Sequence, residues 1–378
     1  MATAVLRAVG IAAALCVMGG SVYAQARTAT GVSSTGVTWH AESLIVGVTS
    51  TSTLAGGGDA AYFAAMPQYS GVVALIMTFS NGSFICSGTL MNDRQSIVTA
   101  GHCVTDANLG TPLSTTAYFY GGNDPDTVVN SSPNSTSRTA SQYFVNPAYT
   151  GNVIDHNDIA VIRLSTQAPA FATSFGLFAG NDLTGLGFNV AGYGQRSTAG
   201  GSVGANLGTG RLRQGDNRYD FRLGDPAFGG GWAAELGEPA ARIAFSYLSD
   251  FDNGLAANDA SCKTANQVFG FALNNALTCN LGRGAREVSI AGGDSGGPGF
   301  IGGALASVNS YGLTYGDPAF GDIDTALNSS FGEFNGFVPI HIHRNFINAA
   351  LVPEPGTYGM MALGLLAVGA AARRRRAS

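Results

Sequence analysis

The sequence predicts an all-β fold, either a barrel or a sandwich. Nine short runs rich in β-branched, aromatic and aliphatic residues lie between clusters of Gly, Asn, Asp and Ser, which is the pattern of strands joined by turns. No tandem repeat is visible, so a propeller or a solenoid has no support. Only residues 342–351 space their apolar side chains as a helix does, so one short C-terminal helix is expected. The predicted strands are residues 71–79, 96–100, 116–122, 140–145, 158–164, 188–194, 242–248, 267–273 and 304–312.

Two segments fall outside this pattern. Residues 25–68 are polar, rich in Ser and Thr and weakly periodic, and we interpret them as an N-terminal extension or pro-segment. Residues 196–240 are very rich in glycine, and we interpret them as a long surface excursion. The main folded domain is therefore expected to span residues 69–351.

Composition argues for export and against nucleic-acid binding. Hydrophobic residues make up 45% of the 378 residues and charged residues only 11%, which leaves the surface to Ser, Thr, Asn and Gly. Without the basic leader and tail described below, 14 basic residues face 23 acidic ones. An acidic body is not suited to binding a phosphate backbone.

The first 24 residues have the build of a secretory signal peptide. A basic residue, Arg7, precedes an apolar run, and small residues surround a cleavage point near Ala24 or Ala26. A membrane anchor is the alternative, but the apolar run is short and broken by glycines. The protein is therefore expected to be exported.

The last 27 residues, 352–378, also have the features of a targeting signal. Pro353, Glu354 and Pro355 precede an apolar stretch, 358–372, and the arginine cluster 373–376. This arrangement resembles the PEP-CTERM sorting signal of Gram-negative bacteria. The resemblance implies an exosortase-type sorting enzyme as a partner, transient inner-membrane association, and a final location at the cell surface or outside the cell. Fifteen apolar residues fall short of the roughly 20 of a stable span, although a permanent anchor remains the alternative.

Four cysteines remain once Cys16 is removed with the signal peptide. Cys86, Cys103, Cys262 and Cys279 form an even number in an exported chain, so disulfides are expected. Three connectivities are possible, of which pairing between sequence neighbours is the natural one.

Three motifs supply the parts that acyl transfer by serine requires. The reaction needs a nucleophile, a base to take its proton, an acid to orient the base, and backbone donors for the oxyanion. "TAGHC" places His102 after a predicted strand, and "DHNDIAVIRL" places Asp158 at the start of another. "GGDSGGP" places Ser295 in a tight turn, where the amides of Gly293 and Ser295 can point to one spot.

These motifs, in the order His, Asp, Ser, resemble those of trypsin-like (chymotrypsin-fold) serine proteases over residues 70 to 350. The resemblance implies two antiparallel six-stranded β-barrels with the active site between them. It implies that Ser295 attacks the carbonyl, that His102 acts as base and then acid, and that Asp158 orients His102. It also implies that the amides of Gly293 and Ser295 form the oxyanion hole and that the substrate is a protein or peptide.

The same resemblance identifies candidate substrate-binding residues. Ser289, six residues before Ser295, would form the floor of the primary specificity pocket, and a serine there lacks the charge that selects Arg or Lys. Ser310, Tyr311 and Gly312 would form one wall, with Gly336 a weaker candidate for the opposite wall. The expected preference is for Phe, Tyr, Leu or Met.

Departures from the family concern a disulfide, a spacing and activation. Ala291 stands where many members have a cysteine, while Cys262 and Cys279 resemble the pair that closes the loop before the pocket. The long interval between the aspartate and serine motifs fits the Gly-rich segment. Cleavage after Leu44 would free Ile45, whose amine would pair with Asp294 as in family zymogens.

The remaining features indicate neither a metal nor a cofactor. His341 and His343 alternate but are too few for a metal site. Asp250 and Asp252 in "SDFDNG" are interpreted as a solvated turn rather than a calcium site, because the rest of a loop pattern is missing. The alternative to an enzyme is a surface or matrix-binding protein that keeps this fold without turnover.

Overall fold

The structure, a computed structural model, describes residues 23–24, 27–42, 45–106, 108, 110–124 and 126–351. Residues 1–22 of the predicted signal peptide and the predicted sorting tail, 352–378, lie outside the described residues. The strands are β1 Tyr23–Ala24, β2 Ala29–Val32, β3 Thr38–Glu42, β4 Val46–Gly47, β5 Val72–Phe79, β6 Gly82–Leu90, β7 Ser96–Thr99, β8 Ser114–Tyr120, β9 Ser135–Val145, β10 Ala160–Leu164, β11 Gly187–Gly192, β12 Arg213–Arg218, β13 Phe221–Arg222, β14 Tyr247–Asp250, β15 Val288–Ser289, β16 Pro298–Ile301, β17 Ala304–Thr314 and β18 Phe334–Pro339. The α-helices are α1 Gly231–Leu236, α2 Ala240–Ile243, α3 Ala260–Phe269 and α4 Arg344–Ala350.

The first sheet closes into a six-stranded antiparallel barrel. Its strands follow the order β6-β5-β8-β9-β10-β7, and β7 returns to pair with β6. The β5 strand alternates little in burial, because the barrel interior covers one of its faces and the second sheet covers much of the other. The short β1 adds to β6 in parallel at Phe84 and Ile85.

The second sheet is a curled half-barrel. Its main path is β12-β11-β16-β17-β18-β14-β13, and the hairpin β2–β3 joins it at β17. The predicted all-β fold is confirmed. The second sheet differs from a closed six-stranded barrel because, in the described part of the chain, its end strands do not pair and the N-terminal hairpin extends it.

The C-terminal helix is confirmed as α4, whose last residue accepts a hydrogen bond from Arg163 Nη2 at 2.7 Å. The strand predicted at residues 267–273 is wrong, since α3 covers the first part of that range. Asp259 caps α3 by accepting from the Cys262 amide at 2.7 Å, and Gly270 ends it with φ +71°. Apolar residues alone did not distinguish a short helix from a strand, but these two caps do.

The Gly-rich segment 196–240 is not a surface excursion. It contains β12, β13 and α1, and Trp232 in α1 is completely buried against Phe221 and Phe228. Glycines here permit close packing: a Cβ at Gly215 would overlap Val288, and one at Gly201 would overlap Phe331.

Among the described residues, no helix combines the length and apolar character needed to cross a membrane.

Candidate active site

His102 and Asp158 meet at the end of the first barrel. His102 lies in a 3-10 turn, Gly101–Val104, that follows β7, and Asp158 lies two residues before β10. Because β7 and β10 pair with Thr99 opposite Ala160, the two residues are brought together. Asp158 Oδ2 lies 2.7 Å from His102 Nδ1, and Asp158 Oδ1 accepts from the His102 amide at 2.8 Å. Both side chains are buried.

Asp158 remains ionised despite its burial. Burial by itself would raise the pKa of this carboxyl, but the attraction of His102 and hydrogen bonds from His102 and Ser310 outweigh it and lower the pKa. Ser310 Oγ donates to Asp158 Oδ2 at 2.6 Å. An ionised Asp158 accepts the proton on His102 Nδ1, which leaves Nε2 as the basic nitrogen.

Ser295 lies in a turn that rests on the first barrel. Ser87 in β6 holds this turn twice: its amide donates to Ser295 O at 2.8 Å, and its hydroxyl donates to Gly293 O at 2.9 Å. Gly293 and Gly296 have φ of +100° and +79°, and a Cβ at Gly296 would overlap Thr99, so the turn needs glycine there. Cys103 Sγ lies 3.6 Å from Ser295 O, which places the turn beside His102.

Two backbone amides of this turn remain available to a ligand. The amides of Asp294 and Gly296 donate to Ala291 O and Asn309 O, each at 2.9 Å. The amides of Gly293 and Ser295 donate to no acceptor within the described residues. Two neighbouring free donors can stabilise a developing oxyanion.

Two disulfides join sequence neighbours, Cys86–Cys103 and Cys262–Cys279, and the first lies beside His102 and the Ser295 turn. Cys86, Cys103 and His102 place their sulfur and nitrogen atoms within 4.8 Å of one another, the spacing of a metal site. Because both sulfurs are consumed in the disulfide, neither is a thiolate that could bind a metal.

Asp294 is a completely buried carboxylate behind Ser295. It accepts from the amides of Gly194 at 2.8 Å and Ala291 at 2.9 Å. Burial raises the pKa of Asp294 well above its usual range, against the hydrogen bond from Gly194. A Cβ at Gly192 or Gly194 would overlap the carboxylate. No lysine, arginine or histidine of the described residues pairs with Asp294.

Ser289 lies in β15, paired with Val46 of β4. Its hydroxyl is 2.7 Å from Oδ1 of Asn335, which also accepts from the Ile290 amide at 2.9 Å. Sequence reasoning missed Asn335, which sits in β18 opposite Gly312. The hydrogen-bond partners of the Ser289 hydroxyl, Asn335 Oδ1 and Ile290 O, are thus polar and uncharged.

The three residues predicted to form a pocket wall follow one another in β17, but each makes different contacts. Ser310 is committed to Asp158, as described above. The Tyr311 ring is buried, and its hydroxyl lies 2.8 Å from Ser246 Oγ. A Cβ at Gly336 would overlap that ring, so Gly336 accommodates Tyr311. Gly312 pairs with Asn335 on one edge and with Glu42 on the other.

The interpretation of Asp250 and Asp252 as a solvated turn is wrong. Both are buried beside Asp220, Asp259 and Glu287, and burial raises the pKa of all five carboxyls. Backbone amides satisfy many of their oxygens; for example, Glu287 Oε2 accepts from Asp252 at 2.8 Å. Within the described residues, no three of these carboxylates bring their oxygens within 4.8 Å of one another.

Sequence reasoning also missed Ser87 and Asn309, which fix the Ser295 turn. Asn309 Nδ2 donates to Asp294 O at 3.1 Å, and its backbone pairs with Gly296 and Gly297. Neither residue belongs to a recognisable motif, because each acts from a distant strand. Only the three-dimensional pairing of β6 and β17 with the turn reveals them.

Comparison with known families matches two parts of the chain. Residues 64–223 match the family model described as Trypsin, and residues 351–376 match the model described as PEP-CTERM protein-sorting motif. The first match contains His102 and Asp158 and ends before Ser295. No curated protein is significantly similar to the chain.

Proposed function

The chain carries a trypsin-family domain and a PEP-CTERM sorting motif, and from this premise we propose that it is an exported serine endopeptidase with Ser295, His102 and Asp158 as its catalytic residues. The observation that carries the proposal is the buried His102–Asp158 pair, 2.7 Å apart, beside the tight turn of Ser295. The sorting motif implies export in Gram-negative bacteria.

In the proposed reaction, His102 Nε2 takes the proton of Ser295 Oγ as that oxygen attacks the carbonyl carbon of the substrate. The new negative charge falls on the carbonyl oxygen, where the free amides of Gly293 and Ser295 can bind it. The protonated His102 is stabilised by Asp158 and returns its proton to the leaving amine. Water then repeats the sequence on the acyl-enzyme and releases the acid.

Activation by cleavage after Leu44 is also part of the proposal. The pairing of β4 with β15 holds Val46 opposite Ser289 and keeps Ile45 buried in one cluster with Ile290 and Ala291. The Ala291 amide contacts the Asp294 carboxylate directly. A positive α-amine on Ile45 would therefore arise close to a buried carboxylate that has no cation among the described residues, and would neutralise it.

For specificity we retain the preference for Phe, Tyr, Leu or Met. The support is the uncharged pair Ser289–Asn335, since a pocket that selects Arg or Lys needs a carboxylate. A library of peptides that differ only in the residue before the cut measures this. A clear preference for Arg would overturn it.

The exosortase-type cleavage of the tail and its transient anchoring in the inner membrane remain proposals that follow from the sorting motif. The mass of the exported protein tests them, because removal at the Pro353–Pro355 triplet would delete the arginine cluster. Retention of that cluster in the exported protein would contradict the proposal.

The decisive experiment treats the exported protein with a fluorophosphonate and measures its intact mass. A single adduct that disappears in Ser295→Ala is expected. The alternative, a binding protein without turnover, predicts no adduct on a fully trimmed chain.

A further inference from the structure

The N-terminal segment 27–42 contacts both halves of the domain, the barrel and the second sheet, close to the proposed catalytic pair. Its strand β3 pairs antiparallel with β17, with Glu42 opposite Gly312 and Ala41 opposite Leu313. Ser310, which donates to Asp158, is only two residues before Gly312 on the same strand. The extension therefore occupies a sheet edge that begins beside the proposed catalytic pair.

That edge would otherwise be open. Val308 pairs with both β16 and β18, whereas Gly312 pairs with both β3 and β18. Since a strand has two edges, β3 pairs with the same edge of β17 as β16, which pairs with β17 only as far as Val308. Open strand edges bind extended peptides through backbone hydrogen bonds. A peptide lying extended beside Ser295 and His102 would meet this edge first.

Side-chain contacts anchor the segment to both halves of the domain. On the side of the second sheet, Trp39 is buried in a cluster that includes Ile154 and Tyr311, and the Ser34 amide donates to Glu235 Oε2 at 3.0 Å. On the side of the barrel, Arg27 takes part in a larger set of hydrogen bonds. It donates to Thr105 O at 2.8 Å, Asp106 O at 2.7 Å, Gly151 O at 3.0 Å and the Tyr149 hydroxyl at 3.1 Å. Thr105 is three residues after His102.

We propose that residues 27–42 are a built-in competitive inhibitor that occupies the substrate-binding edge of β17. An extended peptide substrate and β3 cannot pair with Gly312 at the same time. Until the proposed cut after Leu44 separates it, the segment is attached to the domain, and its effective concentration at the edge is in the millimolar range or above. After the cut, the contacts of Trp39 and Arg27 still hold it there. This inference rests on the proposed function. It adds that peptide hydrolysis requires β3 to leave the edge, in addition to the pairing of Asp294.

The test weakens the anchors in exported protein that has been cut after Leu44, so that the proposed pairing of Ile45 with Asp294 is in place and the segment is held only by its contacts. Trp39→Ala removes a buried ring, Arg27→Ala removes the contacts to the barrel, and Val32→Ala, at an exposed position of the same hairpin, is the matched control. Each variant is compared with wild type in the same processing state, confirmed by intact mass, for hydrolysis of an eight-residue peptide and for the rate of fluorophosphonate labelling. The small fluorophosphonate needs Ser295 but not the edge of β17.

We expect Trp39→Ala and Arg27→Ala to lower the apparent KM for the peptide by about tenfold or more, since a lost buried aromatic weakens docking by at least that factor. Labelling rates should stay within about twofold of wild type, and Val32→Ala should change nothing. A synthetic peptide of residues 27–42, added to Trp39→Ala, should raise the apparent KM again, whereas the same peptide carrying Trp39→Ala should not.

Other outcomes distinguish a structural role of the segment from an inhibitory one. If the segment only stabilises the domain, both variants lower kcat/KM and the melting temperature, which overturns the inference. If labelling is normal and KM is unchanged in Arg27→Ala, the inference is again wrong while the proposed protease remains. If no variant is labelled, the proposed function fails and the inference fails with it. Should Trp39→Ala not fold, Arg27→Ala provides the same comparison.

Discussion

Replacing Asp294 with Asn tests the proposed activation mechanism most directly. Asn keeps the shape of the side chain, which Gly192 and Gly194 enclose closely, but removes the charge that the Ile45 amine would neutralise. Removing one partner of a buried ion pair costs about 3–5 kcal/mol. That corresponds to a loss of about 10²- to 10⁴-fold in the population of the active conformer, and therefore in kcat/KM.

The assay is kcat/KM for a peptide substrate across pH 6 to 11, on protein whose first residue is shown by mass to be Ile45. Wild type should lose activity at alkaline pH as the Ile45 amine deprotonates, and Asp294→Asn should be nearly inactive throughout. Asp220→Asn is the matched control, because Asp220 is also buried but lies away from Asp294, in the cluster of carboxyls around Asp250. An Asp294→Asn variant with full activity and an unchanged alkaline limb would refute the reasoning.

Three further predictions address the nucleophile, a disulfide and the buried carboxylates. Ser295→Ala should lower kcat by orders of magnitude while the melting temperature, followed by circular dichroism, stays the same. Replacing Cys86 and Cys103 with Ser opens a loop with a sequence separation of 17, and urea unfolding should show a loss of about 3 kcal/mol. Burial and the neighbouring carboxylates raise the pKa of Asp259 to about 7, so its protonated form is favoured in the folded state. This contribution to the free energy of unfolding is fully present below pH 4 and is lost as the pH rises through 7. Asp259→Asn, which preserves the helix cap, should reduce that loss by up to about 4 kcal/mol. If the free energy of unfolding of the variant has the same pH profile as that of wild type, the assignment is wrong.

The loops of the candidate active site were predictable because each is encoded locally. His102 follows one strand and Asp158 precedes another, and the apolar residues of both strands are evident in the sequence. Ser295 lies in a turn whose positive φ angles require glycine. The pairing of β7 with β10 then brings two of the motifs together without further information. Sequence motifs at the ends of strands therefore predict much of the candidate site.

Long-range pairings were not predictable in this way. The β2–β3 hairpin is short, and nothing in "TWHAE" indicates that Glu42 pairs with Gly312, 270 residues later. Asp250 and Asp252 have the composition of a surface turn, yet both are buried. The Ser261 amide of α3 donates to Asp250 Oδ2, and the Glu287 carboxylate accepts from the Asp252 amide. Ser87 and Asn309 likewise act only through tertiary contacts.

The energetics of the site favour an enzyme over a binding protein on the same fold. A completely buried carboxyl such as Asp294 costs stability unless a partner neutralises it, and amides without acceptors, such as those of Gly293 and Ser295, add to that cost. A protein selected only to bind at its surface would gain stability by losing these groups. Their joint presence around one serine supports the proposed enzyme, because a reaction in which charge develops there would use all of them.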